Sequence, residues 1–330
     1  MERIKGLDSL RFVMAFIVLL GHGTLPFVNL GFLGASVNQV INAFLSNSAV
    51  GVAAVMAFFI LSGFVIHYPF STGKKIEIFS FYTKRLLRIS LPAIVALILY
   101  SYFFDYKMGV IWSLICEAIY YLLYPLILPF LKRINWIIVI TFFLSYLLSI
   151  YTSLKLLDYN GDFHRNGYLF TWFIGLPVWL LGVKLADNYK YFKTSRALSF
   201  IQLNGVRFLV YLISVVCSIL RFHAEISYVY SLPLFSILVY FWIKQEVIFY
   251  RDKKENKILV FGGLISYSIY LVHALIIYII EDLTGFDDLR VSLSFCAVAI
   301  FSSLLVSYIF YTLIEKPTHT FARQLGSKFK

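Results

Sequence analysis

Long apolar segments limit this chain to one class of fold. A helix that crosses a bilayer needs about 20 mainly apolar residues. Ten segments are long enough, or nearly so, at about residues 9–30, 50–69, 89–105, 111–130, 135–153, 168–186, 206–222, 226–245, 258–281 and 291–314. The pattern predicts an all-α, polytopic integral membrane protein with about ten transmembrane helices, built as a single transmembrane domain over residues 1–330.

The composition excludes the other broad classes of protein. Hydrophobic residues make up 60% of the chain and charged residues 14%, whereas a soluble domain is about 45–50% apolar and about 25% charged. A disordered chain would have low hydrophobicity and high net charge. The net charge of +12 is typical of basic cytoplasmic loops in a membrane protein, so no nucleic-acid partner is predicted. The three cysteines lie in apolar runs without a CxxC motif, which predicts neither a disulfide framework nor a metal site.

The distribution of basic residues predicts the orientation in the membrane. With ten spans and the N-terminus inside, 24 of the 29 Lys and Arg residues fall in the inner segments. The positive-inside rule then predicts that both termini lie on the cytoplasmic side of the membrane. The longest inner connections are predicted to be basic loops near residues 70–88 and 187–205.

Ionisable residues inside a predicted span are the first candidates for chemistry, because a charge deep in the membrane costs about 2.5–3.5 kcal/mol on insertion scales. Arg11 and His22 lie eleven residues apart in the first span. On a helix they would share one face, about 16 Å apart along the axis. An anionic donor held at Arg11 would bring its reactive end near His22, which can act as a general base. Alternatively, His22 bonds to a neighbouring helix and Arg11 merely ends the span.

A second candidate is the arginine pair Arg85 and Arg88, three residues apart in the basic segment after the second span. On a helix, residues at this spacing project from adjacent turns. Paired guanidinium groups bind phosphate through two parallel hydrogen bonds each. The alternative is a simple inner-surface anchor that contacts anionic lipid.

Five short motifs follow one another along nearly the whole chain. They are Gly6-Leu7-Asp8-Ser9-Leu10-Arg11 with His22, Phe58-Phe59-Ile60-Leu61-Ser62-Gly63-Phe64, Arg85-x-x-Arg88-Ile89 with Pro92, Trp112-Ser113-Leu114-x-x-Glu117, and Ser266-Tyr267-Ser268-Ile269-Tyr270-Leu271-Val272-His273 with Glu315-Lys316-Pro317. Together they resemble acyltransferase family 3, a family of integral-membrane enzymes that mostly O-acetylate sugars. The connection around residues 105–110 is shorter than in many members of that family.

The resemblance implies roles for the donor-side residues. Arg11 would help to place an acyl-CoA donor, and Arg85 and Arg88 would bind its phosphates from the cytoplasm. His22 would be the catalytic base, and Glu117 would be its intramembrane partner or the partner of an arginine.

Other polar residues are weaker candidates. His273 and Trp112 are candidates for acceptor binding, with a purely structural hydrogen-bonding role as the alternative for His273. The polar outer segment containing Asp158 and His164 either meets a sugar or is only solvated. His319, in the basic tail, is predicted to have no role.

The function predicted from these residues is the transfer of an acyl group, in the first place acetyl, from acetyl-CoA or another acyl-CoA to a hydroxyl of a cell-surface or exported glycan. The predicted partners are acyl-CoA, a glycan or sugar acceptor and the lipid bilayer, and a homo-oligomer is compatible with the sequence. Two alternatives stay open. One is a membrane transporter or flippase of a glycan or lipid-linked sugar, because intramembrane charges fit that class too. The other is an acyltransferase that acts on a lipid or a small metabolite.

Overall fold

The computed structural model describes residues 3–26, 34–104, 111–155, 167–192, 194–284 and 293–329. Within these ranges the chain is helical and contains no strand. The helices are α1 (Leu7–Leu20), α2 (Ala35–Ser48), α3 (Gly51–Ser71), α4 (Ile78–Phe103), α5 (Trp112–Ile127), α6 (Ile134–Lys155), α7 (Gly167–Asp187), α8 (Tyr189–Phe192), α9 (Phe200–His223), α10 (Tyr228–Tyr250), α11 (Lys257–Thr284), α12 (Leu293–Phe310) and α13 (Lys316–Ser327). A 3₁₀ turn, Leu128–Arg133, joins α5 to α6, and a π-helical turn, Tyr311–Glu315, joins α12 to α13.

Eight helical stretches in the described residues are long and apolar enough to cross a membrane. They are Ala35–Ser71, Ile78–Phe103, Trp112–Leu154, Phe170–Asp187, Phe200–His223, Tyr228–Tyr250, Lys257–Leu283 and Leu293–Ser327. The prediction of an all-α membrane protein is therefore confirmed in its class, whereas the count of ten is not confirmed. The stretch Trp112–Leu154 contains two of the predicted spans, and the short helix α1 is not among the eight.

Large apolar side chains cover the outside of the helix bundle. Ile98 on α4 is 61% exposed, Phe143 on α6 is 62% exposed and Phe301 on α12 is 68% exposed. Extensive apolar surface of this kind is unfavourable in water. These helix faces are therefore suited to contact with lipid hydrocarbon.

Glycines allow the central helices to pack closely. The tightest pairs are α3 with α7 and α1 with α11. A methyl group on Gly63 of α3 would lie 2.2 Å from the carbonyl oxygen of Trp179 on α7. A methyl group on Gly263 of α11 would lie 2.2 Å from the carbonyl oxygen of Asp8 on α1. Only a residue without a side chain permits these approaches, as membrane-helix interfaces commonly require.

The first helix is shorter than predicted. The apolar run suggested a span over residues 9–30, but α1 ends at Leu20, and His22 lies in the turn that follows. Gly21 and Gly23 flank His22, and Gly23 has a φ of +88°. Glycine weakens a helix and accepts this left-handed conformation without steric cost, which explains why the helix stops here despite the apolar residues.

The predicted long basic loop over residues 70–88 is also wrong. Helix α3 continues to Ser71 and α4 begins at Ile78, so only six residues connect the two helices. Arg85 and Arg88 therefore lie inside a helix rather than in a loop. Hydropathy alone misplaced this boundary because it treats an arginine that faces a polar cavity like an arginine in water.

Candidate functional site

A cavity of about 370 Å³ opens between α1, α3, α4, α5, α11 and α13. Its polar lining residues include Asp8, Arg11, Ser62, Arg85, Arg88, Ser113, Glu117, Tyr121, Tyr267, Tyr270, Tyr311, Glu315, His319 and Arg323. Apolar side chains, among them Phe58, Phe59 and Leu114, line other parts of its wall. A concave site with several convergent polar groups is typical of a binding site for a small molecule or a cofactor.

Four arginines face this cavity from three helices. Arg11 lies on α1, Arg85 and Arg88 lie on α4, and Arg323 lies on α13. Arg11 contacts Asp8 at 3.4 Å between Nη1 and Oδ1. Within the described part of the chain, none of the ion pairs involves Arg85, Arg88 or Arg323. The four arginines outnumber the three carboxylates of the cavity, Asp8, Glu117 and Glu315, so the site is suited to an anion.

The carboxylates of the cavity are held by other groups. The Ser62 hydroxyl donates to Oε1 of Glu117 at 2.5 Å, and the Tyr121 hydroxyl donates to the same oxygen. The Ser268 hydroxyl donates to Oε2 of Glu315 at 2.5 Å. These bonds fix Glu117 and Glu315 in the wall. Ser62 therefore helps to position the carboxylate of Glu117.

His22 lies outside this cavity and contacts His273 of α11. The two imidazole rings meet edge to face, with ring centroids 4.6 Å apart. Nδ1 of His22 lies 2.8 Å from the carbonyl oxygen of Val18 and 3.3 Å from Nε2 of His273. A carbonyl oxygen can only accept a hydrogen bond, so Nδ1 of His22 carries a proton and Nε2 of the neutral ring has the free lone pair.

The hydrogen bonds of His273 also place its proton on Nδ1. Its Nδ1 donates to the carbonyl oxygens of Ile269 at 2.8 Å and Tyr270 at 3.0 Å. Its Nε2 therefore accepts, and it faces the N–H group of His22. His273 is 0% exposed, whereas His22 is exposed.

Tyr270 lies between the cavity and the histidine pair. It lines the cavity, and its hydroxyl is 2.7 Å from Oγ of Ser113 on α5. The centroid of its ring lies 6.2 Å from that of His273, which follows one helical turn later. Tyr270 therefore connects the cavity wall, where it meets Ser113, to the histidine pair.

A comparison with known families identifies the family of this chain. A family model described as an acyltransferase domain matches residues 4–312. The chain belongs to acyltransferase family 3. The resemblance inferred from the five motifs is thereby confirmed. No curated protein and no solved structure matches the chain. With its apolar helices, this family 3 member is an integral membrane protein of the acyltransferase class.

The acyltransferase fold brings together some of the predicted site residues but not all. Arg11, Arg85, Arg88 and Glu117 share the cavity wall, as do neighbours from the same motifs. Trp112 is half-buried and its ring meets the ring of Phe59 edge to face, with centroids 6.1 Å apart. The polar outer segment with Asp158 and His164 lies outside the described residues.

Sequence reasoning missed Arg323 and His319 of the acyltransferase. Both line the cavity, although the basic tail suggested no role for His319. A signal was present in the sequence, because Lys316–Ser327 has the pattern of a strongly amphipathic helix. No group of three or more His, Cys, Asp or Glu residues arranged to hold a metal ion occurs in the described ranges.

Proposed function

We propose that this acyltransferase moves an acyl group, in the first place acetyl, from cytosolic acyl-CoA to a hydroxyl of a cell-surface or exported glycan. The observation that carries the proposal is the set of cavity arginines without an ion-pair partner in the described residues. Coenzyme A has three phosphate groups, and arginine forks match phosphate geometry. A neutral sugar or a lipid tail would leave the excess positive charge of the cavity uncompensated.

The positions of the cavity residues along their helices support one orientation of the donor. Asp8 and Arg11 follow the start of α1, and Gly263 lies near the start of α11. The N–H of Gly6 donates to Glu255 at 2.7 Å, which ties the starts of these two helices together. The phosphates would bind at the end of the cavity near the starts of α1 and α11, which is predicted to face the cytoplasm. The pantetheine arm would extend past Glu117 toward Ser113. Ser113 lies about one turn before Glu117 in α5.

His22 is the proposed catalytic base. The hydrogen bond from Nδ1–H to the Val18 carbonyl fixes the tautomer of the ring, which leaves the lone pair on Nε2. When Nε2 takes a proton, the positive charge is shared with Nδ1–H, which faces the Val18 oxygen and Nε2 of His273. His273 thus acts as a positioning residue that stabilises the charged ring, the arrangement expected around an activated base.

The proposed reaction is a single acyl transfer. Nε2 of His22 accepts the proton of the acceptor hydroxyl while the hydroxyl oxygen attacks the thioester carbonyl carbon. The bond between that carbon and sulfur breaks, and the coenzyme leaves as a thiolate. The proton on His22 then passes to the sulfur, which regenerates the neutral base. Trp112 as an acceptor-binding residue stays a prediction.

The thioester must pass Tyr270 to reach His22, so the contact between Tyr270 and Ser113 acts as a gate. A neutral hydrogen bond contributes about 0.5–1.5 kcal/mol. We expect Tyr270→Phe and Ser113→Ala each to raise hydrolysis of acetyl-CoA in the absence of acceptor by about 2- to 10-fold, because the gate opens more often. Release of free CoA by purified protein in detergent measures this rate. Tyr278→Phe, in the same helix, is the control, and unchanged hydrolysis in both gate variants would contradict the gate.

The proposed function is tested by transfer of labelled acetyl from acetyl-CoA in membranes that contain the protein. We expect label in envelope glycan, and mass spectrometry then identifies the modified hydroxyl. Label in lipid or in a small metabolite would replace the glycan with another acceptor. If no acyl-CoA donates a group and CoA does not bind, the proposed donor is wrong.

A further inference from the structure

The C-terminal helix α13 supplies one wall of the donor cavity. Residues 4–312 match the acyltransferase family, whereas α13 begins at Lys316. The cavity nevertheless includes His319 and Arg323 of this helix. The part of the chain beyond the family match therefore contributes charged groups to the same site.

Both ends of α13 are fixed to the bundle. At its start, Glu315 is 3% exposed and accepts the hydrogen bond from Ser268 of α11. Near its end, the Ser80 hydroxyl of α4 donates to the Gly326 carbonyl at 2.7 Å. A methyl group on Gly326 would lie only 2.5 Å from Cγ of Lys84. The helix thus packs tightly along α4, and the position of Arg323 is set by contacts at both ends.

These contacts place Arg323 closer than Arg88 to the start of α4, at about the level of Arg85. Because Gly326 meets Ser80 and Lys84 near the start of α4, Arg323 lies near the level of these residues. Arg88 lies about 6 Å further along α4 than Lys84, at about 1.5 Å per residue. Arg323 is exposed, whereas Arg85 at the same level is half-buried, so Arg323 lies nearer to solvent, and it has no ion pair in the described ranges.

We propose that Arg323 binds the phosphate of acyl-CoA that lies farthest from the thioester, the 3′-phosphate of its ribose. The inference rests on the proposed function, since it assumes that acyl-CoA enters with its acyl end toward Tyr270. In that orientation the pyrophosphate lies at Arg11, Arg85 and Arg88, and the 3′-phosphate lies nearest to solvent, where Arg323 is exposed. A guanidinium group there distinguishes coenzyme A from its 3′-dephospho form.

The test compares two ligands on purified protein in detergent. CoA and 3′-dephospho-CoA are titrated against wild type, Arg323→Ala and Arg323→Lys by isothermal calorimetry. We expect wild type to bind CoA about 10-fold more tightly than 3′-dephospho-CoA, as a charge-assisted hydrogen bond predicts. In Arg323→Ala the two ligands should bind alike, while Arg323→Lys should keep part of the preference because the charge remains.

Lys316→Ala is the matched control, because Lys316 is an exposed cation on the same helix that does not line the cavity. It should keep the wild-type preference for CoA.

A full preference in Arg323→Ala, with both ligands weakened equally, would overturn the proposal and leave Arg323 with a general electrostatic effect. Wild type that binds both ligands equally would also overturn it, without affecting the proposed donor. Failure of wild type to bind either ligand would instead remove the proposed donor itself, and with it the basis for this inference. A single symmetric peak in size-exclusion chromatography checks that each variant is folded.

Discussion

His22→Ala is expected to lower the turnover rate of acetyl transfer by about 10²- to 10⁴-fold, the usual contribution of a positioned general base. The reason is the fixed tautomer of the ring, since only Nε2 of His22 has a free lone pair. The KM for acetyl-CoA should change little, because His22 lies outside the donor cavity. Labelled acetyl transfer at saturating donor measures both constants in membranes with matched amounts of protein.

His223→Ala is the control for this experiment. His223 ends α9, and its Nε2 is 3.5 Å from the side-chain nitrogen of Asn47, away from the cavity. Its loss should leave turnover near the wild-type rate. Equal turnover in His22→Ala and wild type would remove His22 from the reaction. A large rise in KM at constant turnover would instead indicate a role in donor binding.

Arg85→Ala is expected to raise the KM for acetyl-CoA by about 10- to 100-fold, with a much smaller effect on turnover. Hydrogen bonds to charged groups contribute about 1.5–3 kcal/mol. A phosphate contact stabilises the bound donor and the transition state equally, so its loss raises the KM and leaves turnover almost unchanged. Arg85 is close enough to Arg11 and Arg88 for their charges to repel it. Bound phosphate relieves this repulsion, so the loss of Arg85 should also reduce the dependence of donor binding on salt.

Two further variants distinguish phosphate binding from a general surface charge. Arg85→Lys keeps the charge but loses the planar fork, so its KM should fall between those of wild type and Arg85→Ala. Arg133→Ala removes an exposed cation from the 3₁₀ turn after α5, outside the cavity, and should leave the KM unchanged. The phosphate-binding role would be contradicted if Arg133→Ala and Arg85→Ala raised the KM equally.

The boundaries of the helices show where local sequence patterns mislead. Hydropathy averages over a window, so Lys84, Arg85 and Arg88 ended the apolar signal and suggested a loop. The helix continues because its charged face meets a cavity instead of lipid. The opposite error occurred after Leu20, where apolar residues suggested a longer span than α1 forms. The first error arises because hydropathy does not contain the direction in which a side chain points, and the second because it does not contain the backbone conformation that Gly23 adopts.

The candidate site was predictable only where its residues lie in short motifs. Arg11, Arg85, Arg88 and Glu117 were identified by charge and resemblance, and the structure brings them to one wall. These residues lie on three helices, α1, α4 and α5, so their shared cavity depends on how those helices pack. The partner of Glu117 was expected to be His22 or an arginine, yet its hydrogen bonds come from Ser62 and Tyr121.

The amino-acid sequence by itself determined the membrane class, the helical architecture and the family, because these depend on apolar length and on residues that lie close together along the chain. Only the tertiary structure brought His273 against His22, across 251 residues, and Arg323 beside the arginines of α4. Such contacts depend on helix packing at Gly63, Gly263 and Gly326. A sequence pattern gives the face of a helix, but the neighbour of that face follows from how all the helices pack at once.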